Sequence, residues 1–83
     1  MRVVFLTTGW EDYVEWQRHP KVLKQLNALI RECARDPFGG EGKPEPLRHE
    51  LSGWWSRRIT QEHRLVYRVR DDDLVILQCR SHY

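Results

Sequence analysis

Arg64-Leu65-Val66-Tyr67-Arg68-Val69-Arg70-Asp71-Asp72-Asp73-Leu74-Val75-Ile76-Leu77-Gln78-Cys79-Arg80-Ser81-His82 is the stretch on which the fold turns. Two runs rich in β-branched, aliphatic and aromatic side chains flank three aspartates, the pattern of two strands joined by a short polar turn. In the first run Leu65, Tyr67 and Val69 share a face, and in the second Val75, Leu77 and Cys79 do. Facing apolar sets pair on the core side. The alternation therefore predicts Val69 opposite Val75, Tyr67 opposite Leu77 and Leu65 opposite Cys79, with Asp71-Asp72-Asp73 as the loop. The other face of this hairpin then carries Arg64 across from Arg80, with His82 farther along the same side.

Outward from the hairpin, Trp54–Thr60 reads as another antiparallel strand, so the C-terminal half is a meander. Alternation turns Trp55 and Ile59 inward and Arg58 outward, and it also turns Arg57 inward. The segment from Asp36 to Pro46, with three prolines and three glycines, reads as an irregular crossing. Before it the spacing predicts a helix over Pro20–Arg35, with Val22, Leu23, Leu26, Leu29, Ile30 and Cys33 on one face and Lys21, Lys24, Gln25 and Arg31 on the other. A first helix is expected from Thr8, an N-cap with Glu11 in the capping-box position, and its apolar stripe includes Trp10, Tyr13, Val14 and Trp16. Arg2–Leu6 reads as an opening strand. Trp10, Trp16 and Trp55 are expected in the core, and Trp54 is left open between packing and stacking on a base.

Eighty-three residues support one domain (1–83) with one modest core, so any chemistry must occupy a single surface. Hydrophobic residues at 40% and charged residues at 31% indicate a globular chain rather than a disordered one. No apolar run approaches the roughly 18 residues of a membrane span, and the opening Met-Arg-Val-Val-Phe-Leu is too short for a secretory signal. A cytoplasmic location is expected, with Cys33 and Cys79 as buried reduced thiols. The net charge of +2 is unevenly spread: residues 1–42 carry six basic and six acidic groups, residues 43–83 eight and six, with three of the four histidines. With three of those acids in one turn, the remaining surface of the second half is basic and suited to phosphate.

Metal-free RNA cleavage needs a base for the 2′-hydroxyl, a cation for the phosphoryl oxygens and an acid for the leaving 5′-oxygen. Glu45, on the stiff backbone between Pro44 and Pro46, is the candidate base. Arg64 and Arg80 offer forked donors to a phosphate. His82, of a type that titrates at about 6.5, is the candidate acid. Each signal alone has a blander counterpart: a solvated loop glutamate, strand arginines that protect an edge, and a frayed terminal histidine. Other constellations fail. Lys43 is followed by Pro44 rather than Ser or Thr, which excludes a P-loop, and His49-Glu50 has no second histidine a turn later, which removes the zinc-protease pattern.

The strings Trp10-Glu11-Asp12-Tyr13, Asp36-Pro37-Phe38, Gly42-Lys43-Pro44-Glu45-Pro46-Leu47, Leu51-Ser52-Gly53-Trp54-Trp55-Ser56-Arg57-Arg58-Ile59, Glu62-His63-Arg64-Leu65-Val66-Tyr67 and Cys79-Arg80-Ser81-His82-Tyr83 resemble the YoeB branch of the RelE-like messenger-RNA interferases over nearly the whole chain. The resemblance implies an α+β, RelE-like fold, with two N-terminal helices packed on an antiparallel-rich sheet. It also implies a toxin of a type II toxin–antitoxin pair that cuts mRNA in the ribosomal A site without metal or cofactor. By position in these motifs Glu45 is the general base, Arg64 the transition-state stabiliser and His82 the general acid. Arg48, Arg58, Arg80 and Tyr83 are expected on the RNA. A cognate YefM-like antitoxin and a homodimer are the implied protein partners. Ribosome-independent cleavage and a non-catalytic RNA-binding module are the competing readings.

Overall fold

Strand β1 (Arg2–Phe5) leads directly into helix α1 (Thr7–Trp16), and α2 (Pro20–Arg35) follows in the computed structural model, which describes residues 1–81. Four strands complete the chain: β2 (Glu45–Pro46), β3 (Trp55–Arg58), β4 (Arg64–Arg70) and β5 (Asp73–Gln78), with one 3-10 turn at His49–Leu51. The sheet order is β1-β5-β4-β3-β2, with β1 parallel to β5 and every other pair antiparallel. The helices bury Trp16, Leu26, Leu29, Ile30 and Cys33 against Leu65, Tyr67, Leu74, Ile76 and Cys79 from the sheet. Helix α2 has the bounds its sequence implies, because Pro20 is pre-set for a first turn and the apolar stripe runs unbroken to Cys33.

Helix α1 departs from its expected start. Leu6, not Thr8, is the N-cap, and no side chain caps the helix. The Leu6 amide instead donates to the Ile76 carbonyl at 2.9 Å, so the strand ladder itself delivers the chain to the helix. The helix then lies so close to β5 that a Cβ on Gly9 would sit 2.7 Å from the Ile76 carbonyl oxygen. Trp10, beside that contact, is directed outward and is 53% exposed, contrary to the core position expected for it. Its ring packs edge-on to Phe5 and stacks on Tyr13. Gly9→Ala should force α1 off the sheet and cost about 1–3 kcal/mol, the usual range for overpacking. A chemical denaturation curve with an unchanged midpoint would show that the helix shifts freely.

The β4–β5 register differs from expectation near the turn and meets it past a bulge. Arg70 pairs with Asp73, Val69 with Leu74 and Tyr67 with Ile76, and after an irregularity between Val66 and Tyr67 the pairing resumes as Val66 with Gln78. The loop is thus two residues, Asp71-Asp72, with Asp71 at φ 55°. The core face of β5 is Leu74 and Ile76, followed by Cys79, rather than Val75 and Leu77. The reason is that β5 lies between β1 and β4 and is apolar on both faces: Val75 is buried too, on the side away from the helices. Alternation cannot choose a register for such a strand, and the bulge moves Cys79 back to the inner side. Asp73, read as loop, starts β5 and takes two hydrogen bonds from the Arg2 guanidinium, at 2.8 and 3.0 Å. That pairing holds its carboxyl below the ordinary carboxylate range.

Candidate active site

Sidedness of β3 builds the site. Its inner residues, Trp55 and Arg57, stand opposite Tyr67 and Leu65, whereas its outer residues, Ser56 and Arg58, stand opposite Val66 and Arg64. Short strand β2 adds Glu45 opposite Ser56, so the end of the segment read as irregular is in fact paired sheet. Paired residues of antiparallel strands share a face. Glu45, Ser56, Arg58 and Arg64 therefore converge on the sheet face that the helices leave uncovered. Together with Gly42 and Lys43 they line a polar cavity of about 80 Å³. At roughly 30 Å³ per water, that is room for a few waters or one phosphate group.

Three cations, Lys43, Arg58 and Arg64, and one carboxylate, Glu45, line this cavity. Arg58 and Arg64 are direct cross-strand partners, an arrangement of like charges that is unfavourable unless an anion lies between them. Arg64 is steered by the turn before it: one guanidinium nitrogen donates to the carbonyls of Thr60, Gln61 and His63 at 2.9, 3.1 and 3.2 Å. The Thr60 hydroxyl oxygen in turn accepts from the amides of Glu62 and His63. The opposite wall depends on left-handed backbone, with Gly42 at φ 84° and Lys43 at φ 52°. Gly42 is required there, since a Cβ would lie 3.0–3.2 Å from Leu29, Arg57 and the Arg58 carbonyl. Its carbonyl accepts the Arg58 amide at 2.7 Å.

Arg57 secures that wall from below. Although an arginine, it is fully buried, and its guanidinium is spent on backbone: it donates to the carbonyls of Asp36, Gly39 (2.5 Å) and Glu41 (3.0 Å) and to the Tyr67 hydroxyl oxygen (3.2 Å). The Tyr67 hydroxyl donates onward to the Pro37 carbonyl at 2.5 Å. The side chains of Arg57 and Tyr67 therefore tie the proline- and glycine-rich crossing that delivers Lys43 and Glu45 to β3 and β4 at four carbonyls.

Of the residues singled out from sequence, Glu45, Arg58 and Arg64 are brought together. Arg48 is exposed just before the 3-10 turn and Arg80 is exposed past the end of β5; neither lines the cavity. Past the bulge the pairing of Val66 with Gln78 is in the expected register, but β5 ends at Gln78, and the Arg64 amide donates to the Ser81 carbonyl at 3.1 Å in place of the expected pairing with Arg80. His82 and Tyr83 lie outside the described residues. Lys43 and Ser56 were missed. Lys43 had a signal in its place two residues before Glu45, and Ser56 in its alternation with Arg58. Trp16 is in the core and Trp55 packs against it, while Trp54 has the Arg68 guanidinium 5.2 Å from its ring centre. Cys33 and Cys79 are buried free thiols, and burial pushes them up to about 11 and about 12, so neither is poised as a nucleophile.

A small α+β domain with two helices on one face of a five-stranded, mostly antiparallel sheet has the fold of the RelE-like toxins. The chain belongs to the YoeB-like toxins of bacterial type II toxin–antitoxin systems, whose family model matches residues 5–83. It is 60% identical to toxin YoeB of Streptomyces coelicolor over 84 residues, covering all of both chains. Among solved structures it resembles the YoeB/ParE toxin of Agrobacterium tumefaciens (49% identity, TM-score 0.96, all of both chains). It also resembles the Staphylococcus aureus YoeB seen in a YoeB–YefM complex (40% identity, TM-score 0.91, 100% of this chain and 98% of the other) and as a dimer (TM-score 0.90). No helix among the described residues is long and apolar enough to cross a membrane.

Proposed function

We propose that this toxin is a ribosome-dependent endoribonuclease that cuts mRNA in the A site by general acid–base catalysis. The observation that carries the reading is the pairing of Arg58 with Arg64 across β3 and β4, one register step from Glu45, around a phosphate-sized cavity. Glu45 takes the proton of a 2′-hydroxyl, and the oxygen so freed attacks the adjacent phosphorus to form a 2′,3′-cyclic phosphate. Arg64 and Arg58 hold the charge that builds on the phosphoryl oxygens, with Lys43 on the facing wall. His82 is assigned the proton for the departing 5′-oxygen. Arg48, Arg80 and Tyr83 are assigned to the RNA beyond the scissile phosphate. Among the described residues no three His, Cys, Asp or Glu side chains gather as a metal site requires, and the proposed chemistry draws on side chains alone. By likeness to the S. aureus structures, the proposed protein partners are a YefM-like antitoxin and a second copy of the chain, with the cytoplasm as the place of action.

Primer extension on a defined mRNA, with and without programmed ribosomes, tests the reading. Cuts confined to the A-site codon and seen only with ribosomes are expected. Equal cutting of naked RNA would replace the ribosome-dependent reading with a free ribonuclease, and binding without any cutting would replace it with an RNA-binding module. Arg58→Ala sharpens the test, because it removes a phosphate ligand and also relieves a like-charge pair. Cleavage should fall about 10²-fold, the scale for losing one charge-stabilising donor. The unfolding midpoint should stay within about 0.5 kcal/mol of wild type or rise. A stability loss matching the activity loss would show that Arg58 is structural.

A further inference from the structure

The C-terminal segment reaches its last described residue under four hydrogen bonds that the catalytic assignment does not use. The Asp12 carboxylate of α1 accepts the Cys79 amide at 3.0 Å, and the Trp16 indole N–H donates to the Cys79 carbonyl at 2.7 Å. Ser81, at φ 63° in the left-handed region, then has its carbonyl on the Arg64 amide, and its own amide donates to Nδ1 of His63 at 2.7 Å. A serine holds that backbone conformation only when its surroundings impose it. The His63 ring is itself fixed, packed edge-on to Trp16 with ring centres 4.7 Å apart.

We propose that His63 is a positioning residue of the toxin: its neutral imidazole fixes the Ser81 amide, and through it the backbone that leads into His82, and protonation of the ring releases that amide. The inference rests on the proposed role of His82. Its physics is that of a single nitrogen. Nδ1 can accept the Ser81 N–H only while it has a free lone pair, which places the ring hydrogen on Nε2. That nitrogen lies 3.7 Å from the Glu62 carboxylate, which favours this tautomer. In the imidazolium form both nitrogens are donors, and Nδ1–H would face Ser81 N–H, donor against donor at 2.7 Å. Charged or titratable groups adjoin the ring among the described residues. Glu62 shares its turn, and Arg64 follows it with its guanidinium on the turn carbonyls. His19 lies against Trp16 at 5.5 Å, and Asp12 of α1 is engaged by Cys79.

The test separates this inference from the proposed nuclease function by using a readout that needs no cleavage. In isotopically labelled Glu45→Gln protein, the Ser81 amide resonance should shift with the same midpoint as the His63 ring when pH is lowered. In a His63→Asn background, where the Asn carbonyl keeps an acceptor near the Nδ1 position without titrating, the amide should stay put. In ribosome-programmed cleavage, His63→Leu should lower kcat roughly 10- to 100-fold, the scale of a small misplacement of a reacting group, with KM for ribosomes unchanged. His63→Asn should restore most of kcat and remove one ionisation from the acid limb of the pH profile. A Ser81 amide indifferent to His63 protonation overturns the proposal, as does wild-type kcat in His63→Leu. If the leucine variant fails to fold, the amide titration and the asparagine variant decide. A wild-type protein that cuts no RNA would sink the nuclease reading, while the amide titration would still judge the clamp.

Discussion

Glu45→Gln should lower cleavage of ribosome-bound mRNA by at least about 10²-fold, the lower bound for removing a general base, while the protein still binds programmed ribosomes. The amide has nearly the shape of the carboxylate but cannot take a proton, so the variant separates chemistry from fit. Glu45 is exposed and sits in a two-residue strand between prolines, and its replacement should leave thermal unfolding within a degree or two of wild type, as for most surface changes. Its neighbours sharpen the expectation. In a cavity with Lys43, Arg58 and Arg64, removing the one negative charge should strengthen, not weaken, binding of an anionic RNA. Reduced turnover with equal or tighter ribosome binding is therefore the signature of a base. Reduced turnover with proportionately weaker binding would make Glu45 an RNA contact, and unchanged turnover would remove it from the mechanism.

How much of this site could be read in the sequence depended on what kind of partner each residue has. Helix α2 was legible throughout, because its start, stripe and end are all local. Glu45, Arg58 and Arg64, singled out from sequence, line one cavity, and the outward direction of Arg58 followed from alternation alone. The inner face of β5 was not legible. Leu74, Val75, Ile76 and Leu77 are apolar without interruption, so only the bulge at Val66/Tyr67 and the parallel neighbour β1 decide which of them meets the helices. Arg80 was misplaced for another reason: β5 ends at Gln78, so the register that resumes at Val66–Gln78 is not carried on to Arg64 and Arg80. Trp10 was misread because the residue that α1 presses on the sheet is Gly9, which carries no hydrophobic signal. Nor does the tail's anchorage announce itself, since Asp12, Trp16 and His63 act on backbone groups of Cys79 and Ser81, and backbone amides and carbonyls have no spelling in the sequence.

Arg57 extends the same point to stability, and Arg57→Leu should produce the largest loss of any single change in this fold. Alternation turned this arginine inward, an awkward reading for a residue whose charge is permanent. The structure resolves it by surrounding the guanidinium with three carbonyls and a phenol oxygen while the aliphatic stem packs in the core. Leucine fills part of the volume but strands the carbonyls of Asp36, Gly39 and Glu41, and it frees the Tyr67 hydroxyl that holds Pro37. At about 1–3 kcal/mol for each buried acceptor left unmade, and with water able to reach some of them, a net loss of about 3 kcal/mol is expected. For a domain of this size that lowers the melting temperature by roughly 12–24 °C. Arg57→Lys keeps the charge but not the fork, so it should recover only part of the loss. Because the crossing held by Arg57 carries Lys43 and Glu45 to the cavity, cleavage measured well below the new melting temperature should also fall. An unchanged melting temperature would mean that the crossing holds its shape without Arg57. Full activity in a strongly destabilised but folded variant would mean that the wall of the site is built by Gly42 and β2 alone.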